Sequence, residues 1–116
     1  MNAKKNGYYF IHPFDGPLTL QGSATIGLEI IEYFKTLDIK LDYIIISVGG
    51  GGLISGVSSY IKQLSPNTKV IGVEPEGAKG MSDSLESGKP LENVKVSSIA
   101  DSLCAPLHME YSYNVA

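Results

Sequence analysis

The sequence predicts an α/β protein built on a mainly parallel sheet with helices on both faces. Short apolar runs alternate along the chain with longer segments in which apolar residues recur every three or four positions. The run at residues 43–48 is almost continuously apolar, as in a strand covered on both faces, and four glycines follow it directly. Such alternation is typical of parallel strands joined by crossover helices.

Four strands and three helices account for this pattern. Strands are predicted at residues 8–11, 43–48, 69–73 and 94–99, because these runs are short, β-prone and bounded by turn residues. Helices are predicted at residues 23–37, 53–64 and 81–87, with Pro66 ending the second and Gly88 the third. The predicted order is β-α-β-α-β-α-β, and residues 111–113 are expected to form a further, exposed strand.

Charge and composition exclude several classes of partner. The 116 residues carry a formal net charge of −3, and their nine lysines are scattered without a basic patch. We therefore expect neither nucleic acid nor an anionic membrane surface as a partner. The polar start shows no secretion signal, and no apolar run could cross a bilayer. The length of 116 residues fits a single domain. Cys104 has no second cysteine to pair with, so we expect the reducing cytoplasm as its compartment.

The strongest chemical signal is the glycine run between a predicted strand and a predicted helix. Gly49, Gly50, Gly51 and Gly52 leave the backbone without side chains at this junction. Backbone N–H groups can then approach an anion closely, and the helix N-terminus adds about half a positive charge. The run therefore predicts a phosphate site, and the alternative is a tight turn that binds nothing.

Two well-known phosphate loops fit this run poorly. Gly51 and Gly56 have P-loop spacing, but the lysine that must follow them is absent. A dinucleotide-binding fingerprint is approximated from Gly50 onward, with Glu74 placed to bind a ribose. That fingerprint does not explain an unbroken run of glycines. Because it does explain Glu74, a dinucleotide-binding module remains the alternative interpretation.

Several segments in sequence order resemble one family of enzymes. They read IHPFD, QGSATIGLE, SVGGGGLISGV, VIGVEPEGA and SIADSL, and they extend over nearly the whole chain. Together they resemble the threonine dehydratase and serine racemase family of fold-type II pyridoxal-phosphate enzymes, with Ser102 where glycine is common. The resemblance implies that residues 1–116 are part of a large, tryptophan synthase β-like domain that binds the cofactor.

The resemblance also implies which residues bind pyridoxal 5'-phosphate. The phosphate would lie against the glycine loop, and Ala100 would lie near the ring of the cofactor. The implied phosphate-binding residues are Ser47, Gly49, Gly50, Gly51, Gly52 and Leu53.

A divalent cation, Mg or Mn, is implied at the end of the strand at residues 69–73. Its ligands would be the Glu74 side chain and the Ala78 carbonyl. Gly80 stands where metal-binding members carry an aspartate, so this chain departs from the pattern at the third ligand. The alternative is that Glu74 caps a nearby helix.

The family's covalent chemistry has no counterpart here. Its cofactor forms a Schiff base with a lysine in an S-x-K-x-R segment, and an S-S-G-N-H loop binds the substrate carboxylate; neither occurs in this sequence. The resemblance thus implies a fragment without the lysine-bearing segment, the small domain or the C-terminal part. The parent would be a threonine or serine ammonia-lyase or a serine racemase, acting on an amino acid as a homodimer or tetramer. Without the lysine, we expect this chain alone to be inactive and to hold no catalytic residue.

Five other residues have simpler interpretations beside functional ones. His12 is expected to bond the backbone, and His108 is expected to have no direct role. Phe14 and Asp15 lie on the active-site side by the resemblance, although turn formation also explains them. Asp101 would lie near the cofactor or cap a turn.

Overall fold

The computed structural model of the chain describes residues 3–116. The helices are α1 (Pro17–Thr36), α2 (Gly52–Leu64), α3 (Gly80–Ser87) and α4 (Glu110–Val115), and the strands are β1 (Tyr43–Ser47) and β2 (Lys69–Val73). Short 3-10 helices lie at Ala3–Asn6, Glu76–Ala78 and Asp101–Leu103. The first two residues, which begin the polar start judged not to be a secretion signal, lie outside the described residues. Within the described part, no helix is both long and apolar enough to cross a membrane.

The two strands form a parallel sheet, which confirms the predicted α/β class. Ile44 lies opposite Val70 and Ile46 opposite Gly72. The sequence predicts that both faces of β1 are covered, but other elements pack on one face only. Ile44 is 9% exposed whereas Ile45 is 70% exposed, because α2 packs on the face of Ile44 and no element among residues 3–116 covers the other.

The core lies between the sheet and the α1 and α2 helices. Its buried cluster joins one residue of α1, two of β1 and two of α2: Ile31, Ile44, Ile46, Val57 and Ile61. The two helices approach closely at Gly56, where an added Cβ would lie 2.5 Å from the Leu20 carbonyl oxygen and 2.7 Å from the Ser23 Cβ. This crossing fixes the start of α2 against α1, and the glycine run directly precedes that start.

Helix boundaries follow the local stop and start signals. The helices α2 and α3 were predicted within one residue, and α3 ends at Gly88, which adopts a left-handed φ of 72°. The first helix begins at Pro17 rather than near residue 23. A proline lacks the N–H that the first helical turn leaves unpaired, so it favours a helix start after the Gly16 turn.

Two predicted strands do not form among the described residues. Residues 8–11 are irregular, and their side chains are 68% to 83% exposed. A strand needs a paired neighbour, and none lies beside this segment in the described chain. Residues 94–99 instead make isolated bonds, Val94 N–H to Pro106 and Ser97 N–H to Gly77.

The predicted strand at residues 111–113 is wrong, since these residues lie within α4. Tertiary hydrogen bonds are the reason. The backbone carbonyl of Ser112 accepts a bond from the Ser55 hydroxyl in α2, and the Ser112 N–H donates to the Asp15 carboxylate. Such contacts override the local β preference of the two tyrosines.

Candidate functional site

The glycine loop joins the end of β1 to the start of α2. Gly51 is the residue before the helix and adopts a φ of 94°, which only glycine reaches without strain. No side chain caps this helix. Within residues 3–116, none of the backbone N–H groups of residues 49–54 donates a hydrogen bond to a protein acceptor. A row of free donors at the positive end of a 13-residue helix suits an anion.

The loop is packed tightly on several sides. A Cβ on Gly52 would lie 2.7 Å from the Phe14 carbonyl oxygen, and one on Gly50 would overlap the Phe14 ring. A Cβ on Gly51 would lie 2.5 Å from the Met81 methyl group. Gly52 is therefore required by the neighbouring backbone and Gly51 by its own backbone conformation, while a side chain at Gly50 would displace the Phe14 ring.

The other residues predicted to bind the cofactor phosphate flank the loop. Ser47 ends β1, Leu53 is the second residue of α2, and both line one shallow cavity. Leu53 is exposed, at 38%. The structure thus brings the predicted phosphate-binding residues together at the edge where β1 ends.

Ala100 directly precedes the 3-10 helix at Asp101–Leu103. This short helix comes to the same edge from the C-terminal part of the chain. A Cβ on Gly49 would lie 3.2 Å from the Leu103 Cα. The Asp101 side chain accepts a bond from the Ser102 N–H at 2.8 Å, which is a local turn cap.

Glu74 is bonded to the start of α3. One carboxylate oxygen accepts the Met81 N–H at 2.8 Å, and the other accepts the Ser82 N–H and hydroxyl at 2.8 and 2.6 Å. Among the described residues, no three histidine, cysteine, aspartate or glutamate side chains cluster as a metal site. The contacts match the helix-capping alternative for Glu74. Ala78 is buried at the end of a short 3-10 helix.

We expect Glu74→Ala to lower the free energy of unfolding by about 1 to 2 kcal/mol, because it leaves the N–H groups of Met81 and Ser82 without their charged acceptor. Urea unfolding followed by circular dichroism measures this change. Glu76→Ala is the matched control, since Glu76 is exposed and makes no side-chain hydrogen bond in the described chain. Equal stability of the two variants would contradict the capping role.

Gly80, where the resemblance implies a third metal ligand, lies against His108. His108 is only 3% exposed, and a Cβ on Gly80 would collide with its Nε2. The His108 Nδ1 is buried without a hydrogen-bond partner in the described part of the chain. An aspartate at position 80 therefore does not fit while the imidazole is in place, which explains the departure from the family pattern.

Burial lowers the pKa of His108 below its ordinary value of 6.5, and the negative charge of Glu74 opposes this shift in part. The imidazole is consequently harder to protonate in the folded chain than in the unfolded chain. The stability that follows from this difference is fully present above the unfolded pKa and is lost as the pH falls toward the lowered folded pKa.

We therefore expect the unfolding temperature to be flat at mildly alkaline pH and to fall as the pH drops through 6.5. The slope due to one proton cannot exceed about 1.4 kcal/mol per pH unit. Thermal unfolding from pH 8 to pH 5, in about half-unit steps, measures it. His108→Gln should flatten the curve, and an unchanged slope in this variant would assign the effect to another group.

Three contacts around the loop were not anticipated from the sequence. Ser112 of α4 lies beside Gly50, Asp15 bonds the Ser112 N–H, and Met81 lies on Gly51. No local pattern could reveal them, because the partners are far apart in sequence. His12 is bonded as expected: its Nδ1 accepts the Phe14 N–H at 3.4 Å, and its ring packs edge-on against Phe14 at 4.6 Å.

The chain as a whole is similar to several known proteins. The chain is 47% identical to the phenylserine dehydratase of Ralstonia pickettii over 111 residues, which are 96% of this chain and 33% of that enzyme. The structure of processed threonine deaminase isoform 2 from Solanum lycopersicum superposes with a TM-score of 0.87 at 42% identity, covering 96% of this chain and 31% of that one. Maize serine racemase gives 0.88 at 32% identity, covering 97% and 34%.

The chain thus spans about a third of the length of these relatives. The sequence profile of the family described as pyridoxal-phosphate dependent enzyme matches it over residues 1–116. Neither the similar proteins nor the family profile favours the dinucleotide-binding alternative. With the glycine loop, its free N–H groups and the flanking segments in the family's order, the chain belongs to the family of pyridoxal-phosphate-dependent enzymes.

Proposed function

We propose that this chain supplies the phosphate-binding part of a pyridoxal-phosphate-dependent enzyme. One observation carries the proposal: free backbone N–H groups follow one another from Gly49 into α2, in a loop whose neighbours leave no room for side chains. These donors and the helix N-terminus would bind the dianionic phosphate without a lysine or arginine. The Ser47 hydroxyl is a further donor at the end of β1.

The parent enzyme is proposed to eliminate the β-hydroxyl of a hydroxy amino acid such as serine or threonine, giving a 2-oxoacid and ammonia, or to racemise serine. The bound cofactor supplies the electron sink for removal of the α-proton. This chain's own residues would hold and orient that cofactor: the loop would bind the phosphate, and Ala100 would lie near the ring. The names of the similar dehydratases and of serine racemase support this reaction class.

The covalent lysine and the groups that bind the substrate carboxylate are proposed to come from polypeptide outside these 116 residues. None of the nine lysines lies in the sequence context that the family uses. The isolated chain is therefore expected to bind the phosphate ester without forming a covalent bond to it and without turning over amino acids.

Titration of the purified chain with pyridoxal phosphate, pyridoxine phosphate and NAD tests the proposal. Equal rises in unfolding temperature with the two pyridoxine-type phosphates, no absorbance change from lysine attachment and no response to NAD would support it. Pyridoxine phosphate lacks the aldehyde, so it isolates binding through the phosphate and ring. A response to NAD alone would refute it.

For Glu74 we propose helix capping in place of the cation binding that the resemblance implies. Its two oxygens already accept bonds from the first residues of α3. Mg²⁺ or Mn²⁺ should leave the unfolding temperature where NaCl of the same ionic strength leaves it. A specific rise that disappears in Glu74→Ala would restore a cation site at Glu74 and Ala78.

We further propose that the parent enzyme acts in the cytoplasm as a homodimer or tetramer. The apolar sheet face at Tyr43, Ile45 and Ile71 is open in the described chain, which supports burial by further polypeptide in the full enzyme. Light scattering on the full-length enzyme gives its assembly, and a monomer would contradict this part. Cell fractionation tests the compartment.

A further inference from the structure

We propose that Asp15 is a positioning residue that holds the glycine loop in shape through Ser112. This inference rests on the proposed function for its consequence in phosphate binding. The contact itself is independent of any ligand. It joins two segments that are 97 residues apart in sequence.

The first link is a long-range helix cap. Asp15 Oδ1 accepts the N–H of Ser112, in the first turn of α4, at 2.7 Å. Met109, the residue that precedes α4, provides no side-chain cap. A carboxylate at a helix N-terminus satisfies a donor that the helix leaves free and is favoured by the helix dipole. Asp15 thus performs the role that a local cap would otherwise perform.

The second link runs from Ser112 to the loop. Its side chain is fully buried, and its hydroxyl lies 3.4 Å from the Gly50 carbonyl oxygen and 3.3 Å from that of Met109. The Ser112 carbonyl accepts the hydroxyl of Ser55, itself fully buried in α2, at 2.7 Å. Ser112 therefore contacts both the loop and the helix whose N-terminus completes the proposed phosphate site.

A third contact places the residue next to Asp15 directly against the loop. Its neighbour Phe14 lies directly over Gly50 and Gly52. The backbone of residues 14–15 thus covers one side of the loop, while the Asp15 side chain anchors the helix on another side. Loss of the carboxylate would release the α4 side of the loop and remove the bond that ties residues 14–15 to α4.

Charge alone and positioning predict opposite results for Asp15→Ala. Removing a carboxylate near an anion site should strengthen phosphate binding if only Coulomb forces matter. If Asp15 positions the loop, the same change should weaken binding. The charge-matched control is Asp42→Ala, which removes an exposed carboxylate from the chain segment that precedes β1.

The experiment measures the Kd for pyridoxine phosphate and the amide resonances of the ¹⁵N-labelled full chain. Asp15→Ala should raise the Kd about tenfold, as expected for loss of one charged hydrogen bond, and should move the resonances of Gly49 to Gly52 without ligand. Asp15→Asn should recover most of the affinity, because its amide oxygen can accept the same N–H. Asp42→Ala should change neither quantity.

Ser112→Ala keeps the N–H bonded by Asp15 but removes the hydroxyl beside Gly50, so it tests the second link if Asp15→Ala does not fold. It should also shift the loop resonances. Unmoved loop resonances in the folded variants, or a Kd for Asp15→Ala equal to or lower than that of the wild type, would overturn the inference. Failure of the wild type to bind pyridoxine phosphate would refute the proposed function, and the ligand-free resonances would still decide the role of Asp15.

Discussion

Replacing Gly52 with alanine is expected to abolish binding of pyridoxine phosphate and to destabilise the chain by about 1 to 3 kcal/mol. The added Cβ would lie 2.7 Å from the Phe14 carbonyl oxygen and 2.8 Å from its Cα. These are backbone atoms, so no rotamer change relieves the collision. Either the start of α2 or the segment over it must move, and both displacements disturb the N–H groups that face the ligand.

The matched control is Gly22→Ala. Gly22 lies inside α1, and an added Cβ there would have no atom within 4 Å. Alanine forms helix better than glycine, so this variant should be more stable by about 0.5 to 1 kcal/mol with unchanged binding. Urea unfolding and a pyridoxine phosphate titration measure both effects. A Gly52→Ala chain that binds normally would show that the loop geometry does not determine the site.

The second large effect is expected when this chain replaces its counterpart in a complete enzyme. The 111 residues that match the Ralstonia pickettii phenylserine dehydratase can be exchanged for those of this chain. We expect the isolated chain to show no turnover above free pyridoxal phosphate. The chimera should show enzymatic turnover, which typically exceeds the uncatalysed rate by a factor of about 10⁶ or more.

A Gly52→Ala chimera is the control for this gain. It should keep the lysine from the host enzyme and still lose most of the activity, because the phosphate would be held poorly. A folded, cofactor-loaded chimera without turnover would mean that the chain is not equivalent to the matching part of the dehydratase. Measuring 2-oxoacid formation from phenylserine, threonine and serine would also show which side chain the chimera accepts.

The sequence predicted the elements whose determinants are local. β2 and α2 have apolar patterns bounded by glycine or proline, and the structure places them where the pattern does. The glycine loop was likewise found between β1 and α2, since a phosphate loop depends on a short, contiguous motif. The family resemblance extended this to Ala100, which precedes the short helix whose Leu103 packs on Gly49 only after folding.

The elements that the sequence missed depend on distant partners. Residues 8–11 have a strand composition, but no neighbouring strand pairs with them in the described chain. Residues 111–113 are helical because Asp15 and Ser55 bond Ser112. The sequence likewise left open whether Glu74 binds a cation or caps a helix, and only the position of α3 favours the cap.

The most direct test of the central claim is a ¹H–¹⁵N titration of the chain with pyridoxine phosphate, following the amides of Gly49, Gly50, Gly51 and Gly52. We predict that these four resonances and that of Leu53 move together and saturate, while NAD at the same concentration leaves them in place. Saturating shifts elsewhere with an unmoved glycine loop would contradict the assignment of this loop as the cofactor phosphate site.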